Sequence, residues 1–457
     1  MERTLIAGLT EHVGKTVSIS GWVEVRRDHG KLIFLDIRDR SGVVQAVVMQ
    51  KEVDAFGTAE TLRPQFVVSV EGGVRERPEN MQKEGEANGT IEMSLTKIEV
   101  LAAAHELPFD MDAELNLDTY LDYLPLALRT QSGRDIFAIQ ATATEAFRTA
   151  LRELDFTEFQ SPTLTGGDAE GGASAFKVDY YHDKPAFLAT SPQFYKQIMV
   201  GVYERAFSTP KVFRGEKHAT TRHLSEYSSL DFEMGFITDH TDVMAVLEKT
   251  IRHMVAQVVE RHSDALARCE AEPPRVPSAP FPVLKLAEAQ EIIEKEFGGS
   301  AVGEPDLEPE HERQICEWAL REKESDFIFI THYPVSKRPF YTYEDENDPG
   351  FTKSFDLIFR GLEITTGGQR IHDYDMLVGK IKERNLNPEA FSFYLQAFKF
   401  GMPPHGGAAT GLERFTARML GLPNIKEATL FPRDMTRVDT RLAQDDGRPA
   451  QDGALDR

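Results

Sequence analysis

The chain has 457 residues, 41% of them hydrophobic and 28% charged, with a formal net charge of −22; this is the composition of an ordinary globular protein of roughly two to three domains, and the acidic balance argues against a nonspecific nucleic-acid coat, which draws on clustered Lys and Arg. No run of about 18 apolar residues occurs, and the start "MERTLIAGLTEHVG" lacks the basic and apolar parts of a signal peptide, so no membrane association and a cytoplasmic setting are expected. The two cysteines, Cys269 and Cys316, show neither CxxC nor Cys/His spacing, which indicates no disulfide framework and no zinc site.

Residues 1–104 carry 13 Lys and Arg against 16 Asp and Glu, so most of the acid lies beyond them. Short β-branched and aromatic runs, "KTVSISGWVEV", "KLIFLDIRD", "GVVQAVVM" and "QFVVSVEGGV", alternate with the turns "RRDHG" and "DRSG". Several such strands in about 100 residues suggest a small barrel of the oligonucleotide-binding type, the OB-fold. Phe34 could stack on a base while Arg26, Arg27 and Lys31 meet phosphates and Gln45 reads a base edge. A purely structural barrel with charged turns remains the alternative on this segment alone.

Residues 105–130 are acidic, lack sustained periodicity and contain Pro108 and Pro125, which reads as a linker. From residue 131 the expectation is one large domain to residue 440. Ile136, Ile139, Ala143, Phe147 and Leu151 mark a helix, and "TEFQSPTLT" reads as a strand after it. A second helix is expected over 241–266, where Val243, Val246, Leu247, Ile251, Met254, Val255 and Val258 form a core stripe. The last residues, 441–457, are polar and are read as a disordered tail.

The stretch "VFRGEKHATTRHLSEYSSLDFEMGF" (212–236) crowds charges of both signs. If its ends are antiparallel strands, Leu230, Phe232, Met234 and Phe236 share one face, and Asp231 and Glu233 share the other. Arg214 and Glu216 also share a face, and the loop between carries Lys217, His218, Arg222 and His223. Such a surface suits a small zwitterion beside a polyphosphate.

With "FQSPTL" and its Pro162, this stretch, and "GMPPHGGAATGLERFTARMLGL" in that order, the chain resembles the class II aminoacyl-tRNA synthetases, and among them the aspartyl enzymes of compact archaeal-like type. The resemblance spans residues 5 to 440 or so. It implies an α+β protein: an N-terminal OB-fold barrel that binds the anticodon, then a catalytic domain on an antiparallel β-sheet flanked by helices. It also implies ATP and L-aspartate as substrates, Mg²⁺ as cofactor, tRNA(Asp) as partner with tRNA(Asn) left open, and a homodimer built on the first motif. The asparaginyl enzyme and an ATP-dependent amide synthetase are the alternatives.

Carried over by motif, Arg214 would hold the α-phosphate, Glu216 the adenine amino group, and Arg222 and His223 the β- and γ-phosphates. Tyr227 would stack on adenine, and Arg414 would lie on the other side of the nucleotide. Asp356 and Glu363 resemble the carboxylates that hold Mg²⁺ between phosphate oxygens. For aspartate, Gln193 would meet the main-chain end, Lys196 and Arg370 the side-chain carboxylate, and Asp231 the α-ammonium, with Glu170 on a closing loop. Phe34, Gln45 and Glu92 resemble anticodon contacts, and Arg26 and His29 flank them. Ala219, Ala408 and Ala409 depart from the family's usual residues.

Overall fold

A computed structural model describes residues 1–83, 85–167, 175–215, 217 and 220–438. Glu170, Glu216 and the tail expected at 441–457 therefore lie outside the described residues. The chain divides into two compact units, Met1–Leu115 and Asn116–Arg457.

The first unit is a closed five-stranded barrel. Strands β1 (Thr16–Asp28), β2 (Leu32–Arg38), β3 (Val43–Met49), β4 (Val67–Glu76) and β5 (Ile91–Ala102) close in the order β1-β2-β3-β5-β4, with helix α1 (Val53–Thr61) between β3 and β4. The period of two aims Ile33, Leu35 and Ile37 of β2 and Val44, Ala46 and Val48 of β3 into one apolar core. Phe34, Gln45 and Glu92 fall on the opposite parity, on the outer face of three adjacent strands.

In the second unit, the segment read as a linker contains two short helices, α2 (Leu117–Asp122) and α3 (Leu124–Ala127). Helix α4 (Gln131–Arg152) comes next and buries the predicted stripe. Asn116 caps α2 and Thr130 caps α4: each side chain accepts a backbone N–H, from Thr119 and Gly133 respectively. The stretch "TEFQSPTLT" does not form one strand. It splits into β6 (Thr157–Glu158) and β7 (Leu164–Thr165), with exposed Pro162 between, because proline has no N–H to give a ladder. Strand β7 belongs to a small sheet with β8 (Lys177–Val178) and β9 (Ala186–Leu188), followed by helix α5 (Gln193–Tyr203).

The main sheet uses β10 (Arg205–Ser208), β11 (Lys211–Phe213), β12 (Glu226–Gly235), β13 (Val283–Lys285), β14 (Phe327–Thr331), β15 (Ser354–Phe359), β16 (Leu362–Arg370) and β17 (His405–Gly411). Its order is β13-β14-β15-β16-β17-β12-β10-β6, with β11 paired to β12. The six central strands are antiparallel as expected, but β13 and β6 join the two ends in parallel, so the sheet is mixed. Helices α6 (His240–Arg268), α7 (Leu286–Phe297), α8 (Pro309–Lys323), α9 (Tyr374–Glu383), α10 (Ser392–Lys399) and α11 (Leu412–Leu420) complete the unit.

The α6 stripe and α4 pack against Leu230, Phe232 and Met234 in the largest core. Phe236 does not share that face: β12 ends at Gly235, Phe236 turns to φ +57°, and its ring is exposed. None of the described helices is long and apolar enough to cross a membrane.

Candidate active site

The alternation along β12 leaves Asp231 and Glu233 on the face away from the core, yet neither reaches water. Beside them stand Lys196, one turn into α5, and Arg370, the last residue of β16. Lys196 Nζ donates to Asp231 Oδ1 at 3.0 Å and to the carbonyl of Ala408 at 3.3 Å, and lies 3.4 Å from Glu233 Oε2. Arg370 Nε donates to Glu233 Oε1 at 2.9 Å, and its Nη2 to the Gly407 carbonyl at 3.0 Å. Asp231 Oδ2 also accepts from the Ser229 hydroxyl. The four form a buried network of two cations and two carboxylates. Burial would push the Glu233 carboxyl up, but Arg370 and then Lys196 overcome this and hold it below the usual range.

Glycine is needed where this network meets β17: a Cβ at Gly407 would collide with the Glu233 carboxylate and the Phe232 carbonyl. Lys196 and Arg370 nonetheless line a cleft of about 710 Å³, together with Gln193. Gln193 Nε2 is buried with no hydrogen-bond partner, so an amide donor is held at the cleft wall.

Towards the rest of the cleft the loop between β11 and β12 supplies Arg214, Arg222, His223 and then Tyr227 of β12. The Arg214 guanidinium lies 5.7 Å from the Tyr227 ring centroid, and its backbone N–H bonds the Ser225 carbonyl. Arg222 is bound by Glu312 of α8, while His223 Nδ1 lies 2.6 Å from the Thr220 hydroxyl. Arg414, on the first turn of α11, donates to the Glu363 carbonyl at 2.9 Å and lies 3.6 Å from its Oε2.

Glu363 lines the cleft, but Asp356 does not: it is buried against Arg338, whose Nη2 donates to Oδ2 at 2.8 Å. Burial, countered by Arg338 and reinforced by the Glu363 charge, raises Asp356 to about 6. Glu363 moves the other way, because Arg414 and the Thr366 hydroxyl outweigh its burial. The opposed shifts mark two carboxylates close enough to repel.

The structure thus gathers Gln193, Lys196, Arg214, Arg222, His223, Tyr227, Glu363, Arg370 and Arg414 in one cleft, with Asp231 directly behind Lys196. Sequence reasoning did not assign Arg338 to it, nor Glu233 and Glu312, which stand behind its wall. Glu233 had a signal, its alternation with Asp231; Glu312 and Arg338 lie outside the motif stretches.

On the barrel, Gln45 Nε2 donates to Glu92 Oε2 at 3.1 Å, and Arg75 Nε to Glu92 Oε1 at 2.9 Å. Phe34 stands edge to face with His29, ring centroids 5.5 Å apart. Arg26 is held by the Ala59 carbonyl and Asp28, and Arg27 is clamped on Asp36 through two hydrogen bonds.

Residues 116–435 match the family model of the tRNA synthetases class II (D, K and N). The chain belongs to that family. Residues 17–101 match the OB-fold nucleic acid binding domain, which is the five-stranded barrel. An aspartate–tRNA(Asp/Asn) ligase of Thermus thermophilus is 44% identical over 95% of this synthetase and 99% of its own length. An aspartate–tRNA(Asp) ligase of Thermococcus kodakarensis is 39% identical, covering 94% of this chain and 98% of that one. Among solved structures, an asparaginyl-tRNA synthetase from Pyrococcus horikoshii, complexed with asparaginyl-adenylate, superposes with a TM-score of 0.88 at 33% identity, covering 96% of this chain and 99% of that one.

Proposed function

We propose that the chain is an aspartate–tRNA ligase: it activates L-aspartate with ATP and passes the aspartyl group to the 3′ end of tRNA(Asp). The observation that carries this reading is the buried pair of cations, Lys196 and Arg370, at the cleft wall, held in place by Asp231 and Glu233. An aspartate side chain would complete their coordination, and its α-ammonium would turn to Asp231. With Asp231 taken up by the α-ammonium, a neutral amide would leave the desolvated Lys196 short of counter-charge, which disfavours asparagine. The relatives named aspartate–tRNA ligases support the same choice, and the barrel argues against a tRNA-independent amide synthetase.

In this reading Gln193 orients the main-chain end of aspartate, and its carboxylate oxygen attacks the α-phosphorus while the bond to pyrophosphate breaks. Arg214 stabilises the charge that builds on the α-phosphate, Tyr227 and Arg414 sandwich the adenine, and Arg222 and His223 hold the outer phosphates. The terminal ribose hydroxyl of tRNA then attacks the aspartyl carbonyl and AMP leaves. Glu170 and Glu216 keep their proposed roles on substrate closure and adenine.

Of the two carboxylates assigned to Mg²⁺, Glu363 lines the cleft and would hold the ion with phosphate oxygens as further ligands, whereas Asp356 sits behind the wall against Arg338; among the described residues no cluster of three or more His, Cys, Asp and Glu could hold a metal. When bound, the ion neutralises phosphate charge.

On the barrel, Phe34, Gln45 and Glu92 would read the anticodon, with Arg26 and His29 at its edge. A homodimer belongs to the reading too, built on α4 and the Pro162 segment; light scattering at micromolar concentration should give twice the chain mass. ATP–pyrophosphate exchange with aspartate and asparagine in parallel tests the core proposal: exchange that answers to asparagine and ignores aspartate refutes it. Charging both transcripts side by side sets the tRNA range. Comparable aspartylation extends it to tRNA(Asn), and a preference of about a hundredfold, roughly 2.7 kcal/mol, confines it to tRNA(Asp).

A further inference from the structure

Helix α8 lies outside the three motif stretches, yet it sends one carboxylate to a residue of the cleft wall. Glu312, in the first turn of α8, is buried, and its Oε2 accepts from Arg222 Nη2 and, at 2.8 Å, from the backbone N–H of Glu363. One oxygen therefore ties the loop between β11 and β12 to strand β16 at Arg222 and Glu363, two residues that line the cleft. We infer that Glu312 is a positioning residue for ATP: it pins the Arg222 guanidinium by one corner so that its remaining N–H groups meet the outer phosphates without first being ordered.

Three observations carry this. Arg222 sits in a segment with no helix or strand, where a long side chain would otherwise sample many rotamers. It lines the cleft with its side chain 18% exposed, so the guanidinium is bound to Glu312 and still presented to the cleft. Arg418, one turn beyond Arg414 on α11, adds a second cation nearby. Burial and then the Arg222 charge make Arg418 easier to deprotonate than usual, while Glu312 opposes them. Without the Glu312 carboxylate, two guanidiniums would repel and Arg222 would leave its place. An arginine can serve both partners, since its planar fork offers five donors.

The inference rests on the reading of Arg222 as a contact to the β- and γ-phosphates, and the test separates the two. Binding of ATP and of AMP to the full-length protein is measured by calorimetry for the wild type, Arg222→Ala, Glu312→Gln and the double variant. Glutamine keeps an acceptor for the Glu363 N–H and loses the charge. Glu312→Gln is expected to weaken ATP about tenfold and leave AMP unchanged, with no further loss in the Arg222→Ala background, as for residues acting through one another. Equal loss of ATP and AMP would show a structural role and overturn the inference, and so would additive effects in the double variant. A normal ATP affinity for Glu312→Gln, with Arg222→Ala weakened for ATP alone, overturns the inference and leaves the Arg222 reading standing. An unchanged ATP-to-AMP ratio in Arg222→Ala overturns both. If Glu312→Gln folds poorly, Arg222→Lys probes the contact from the other side: lysine keeps the charge but lacks the fork, so ATP should weaken while AMP does not, and unchanged ATP affinity overturns the inference.

Discussion

Replacing Lys196 by methionine removes one charge from the buried network and almost no volume. At an effective dielectric constant of about 20, charges 3.0 Å apart, as Lys196 and Asp231 are, attract by about 5.5 kcal/mol. Stripping one partner from a buried pair costs about 3–5 kcal/mol in practice. Asp231 would keep the Ser229 hydroxyl and Glu233 would keep Arg370, but two carboxylates would share one cation in a place closed to solvent. Lys196→Met should therefore lower unfolding stability by about 3–5 kcal/mol in urea titrations. Adding Asp231→Asn removes the orphaned charge and should restore at least about 2 kcal/mol. Activity should not return with stability. Losing a charged contact to the aspartate side chain costs about 3 kcal/mol, or roughly 150-fold in kcat/KM for aspartate-dependent pyrophosphate exchange, in both variants. A single variant that costs under about 1 kcal/mol, or a double variant no more stable than the single, would refute the view that this network is held by mutual charge compensation.

Gly407→Ala should cost about 1–3 kcal/mol and abolish exchange, because the added Cβ strikes Glu233 and the Phe232 carbonyl; an unchanged urea midpoint would contradict the close approach. Arg214→Ala should lower exchange by about 10²–10³-fold while leaving tRNA affinity near wild type in filter binding; parallel loss of both would contradict the separation of roles. Burial drives the His240 imidazole down to about 4, so the folded state stays neutral where the unfolded chain, near 6.5, already takes up a proton. The sign is fixed by that order: stability falls as pH drops from about 6.5 to 4, by about 3 kcal/mol at most, and His240→Gln should flatten this part of the unfolding curve. Glu92→Gln should raise the KM for tRNA in aminoacylation and leave pyrophosphate exchange alone, since Glu92 holds Gln45 and Arg75 on the barrel; a matched fall in exchange would refute its assignment.

How much of the fold was legible in the sequence depends on the range of each interaction. Four of the five barrel strands and the α4 and α6 stripes depend on side-chain period within a few residues, and they stand where that period puts them; β5, which closes the barrel, was not read as a strand. Pro162 and Phe236 show the limit. Periodicity carried a strand through both, but a missing N–H and a positive φ ended the ladders there. The parallel strands β6 and β13 were equally hidden, since their pairing depends on neighbours brought in from distant segments. Carry-over from the family resemblance located nine residues of one cleft, five of them in the three motif stretches. Arg338 and Glu312 escaped because each matters only through a partner far along the chain, Asp356 and Arg222, and a single Glu or Arg in a charged segment looks like any solvated residue.

The same distance in sequence explains how an acidic chain carries a basic cleft. Among the described residues, eight Lys and Arg side chains but only two carboxylates line it, while the whole chain has a formal charge of −22. These cations come from α5, the β11–β12 loop, the segment after β14, β16, α9's C-terminal turn and α11, so no local stretch reads as basic. Several are offset one by one by carboxylates set just behind the cleft wall: Asp231 and Glu233 for Lys196, Glu233 for Arg370, Asp356 for Arg338, Glu312 for Arg222. Each pairing fixes the direction of its cation and leaves part of its donor set turned inward. A polyanion entering the cleft then meets preset donors whose desolvation is already part of the fold, and the low-dielectric walls strengthen their pull.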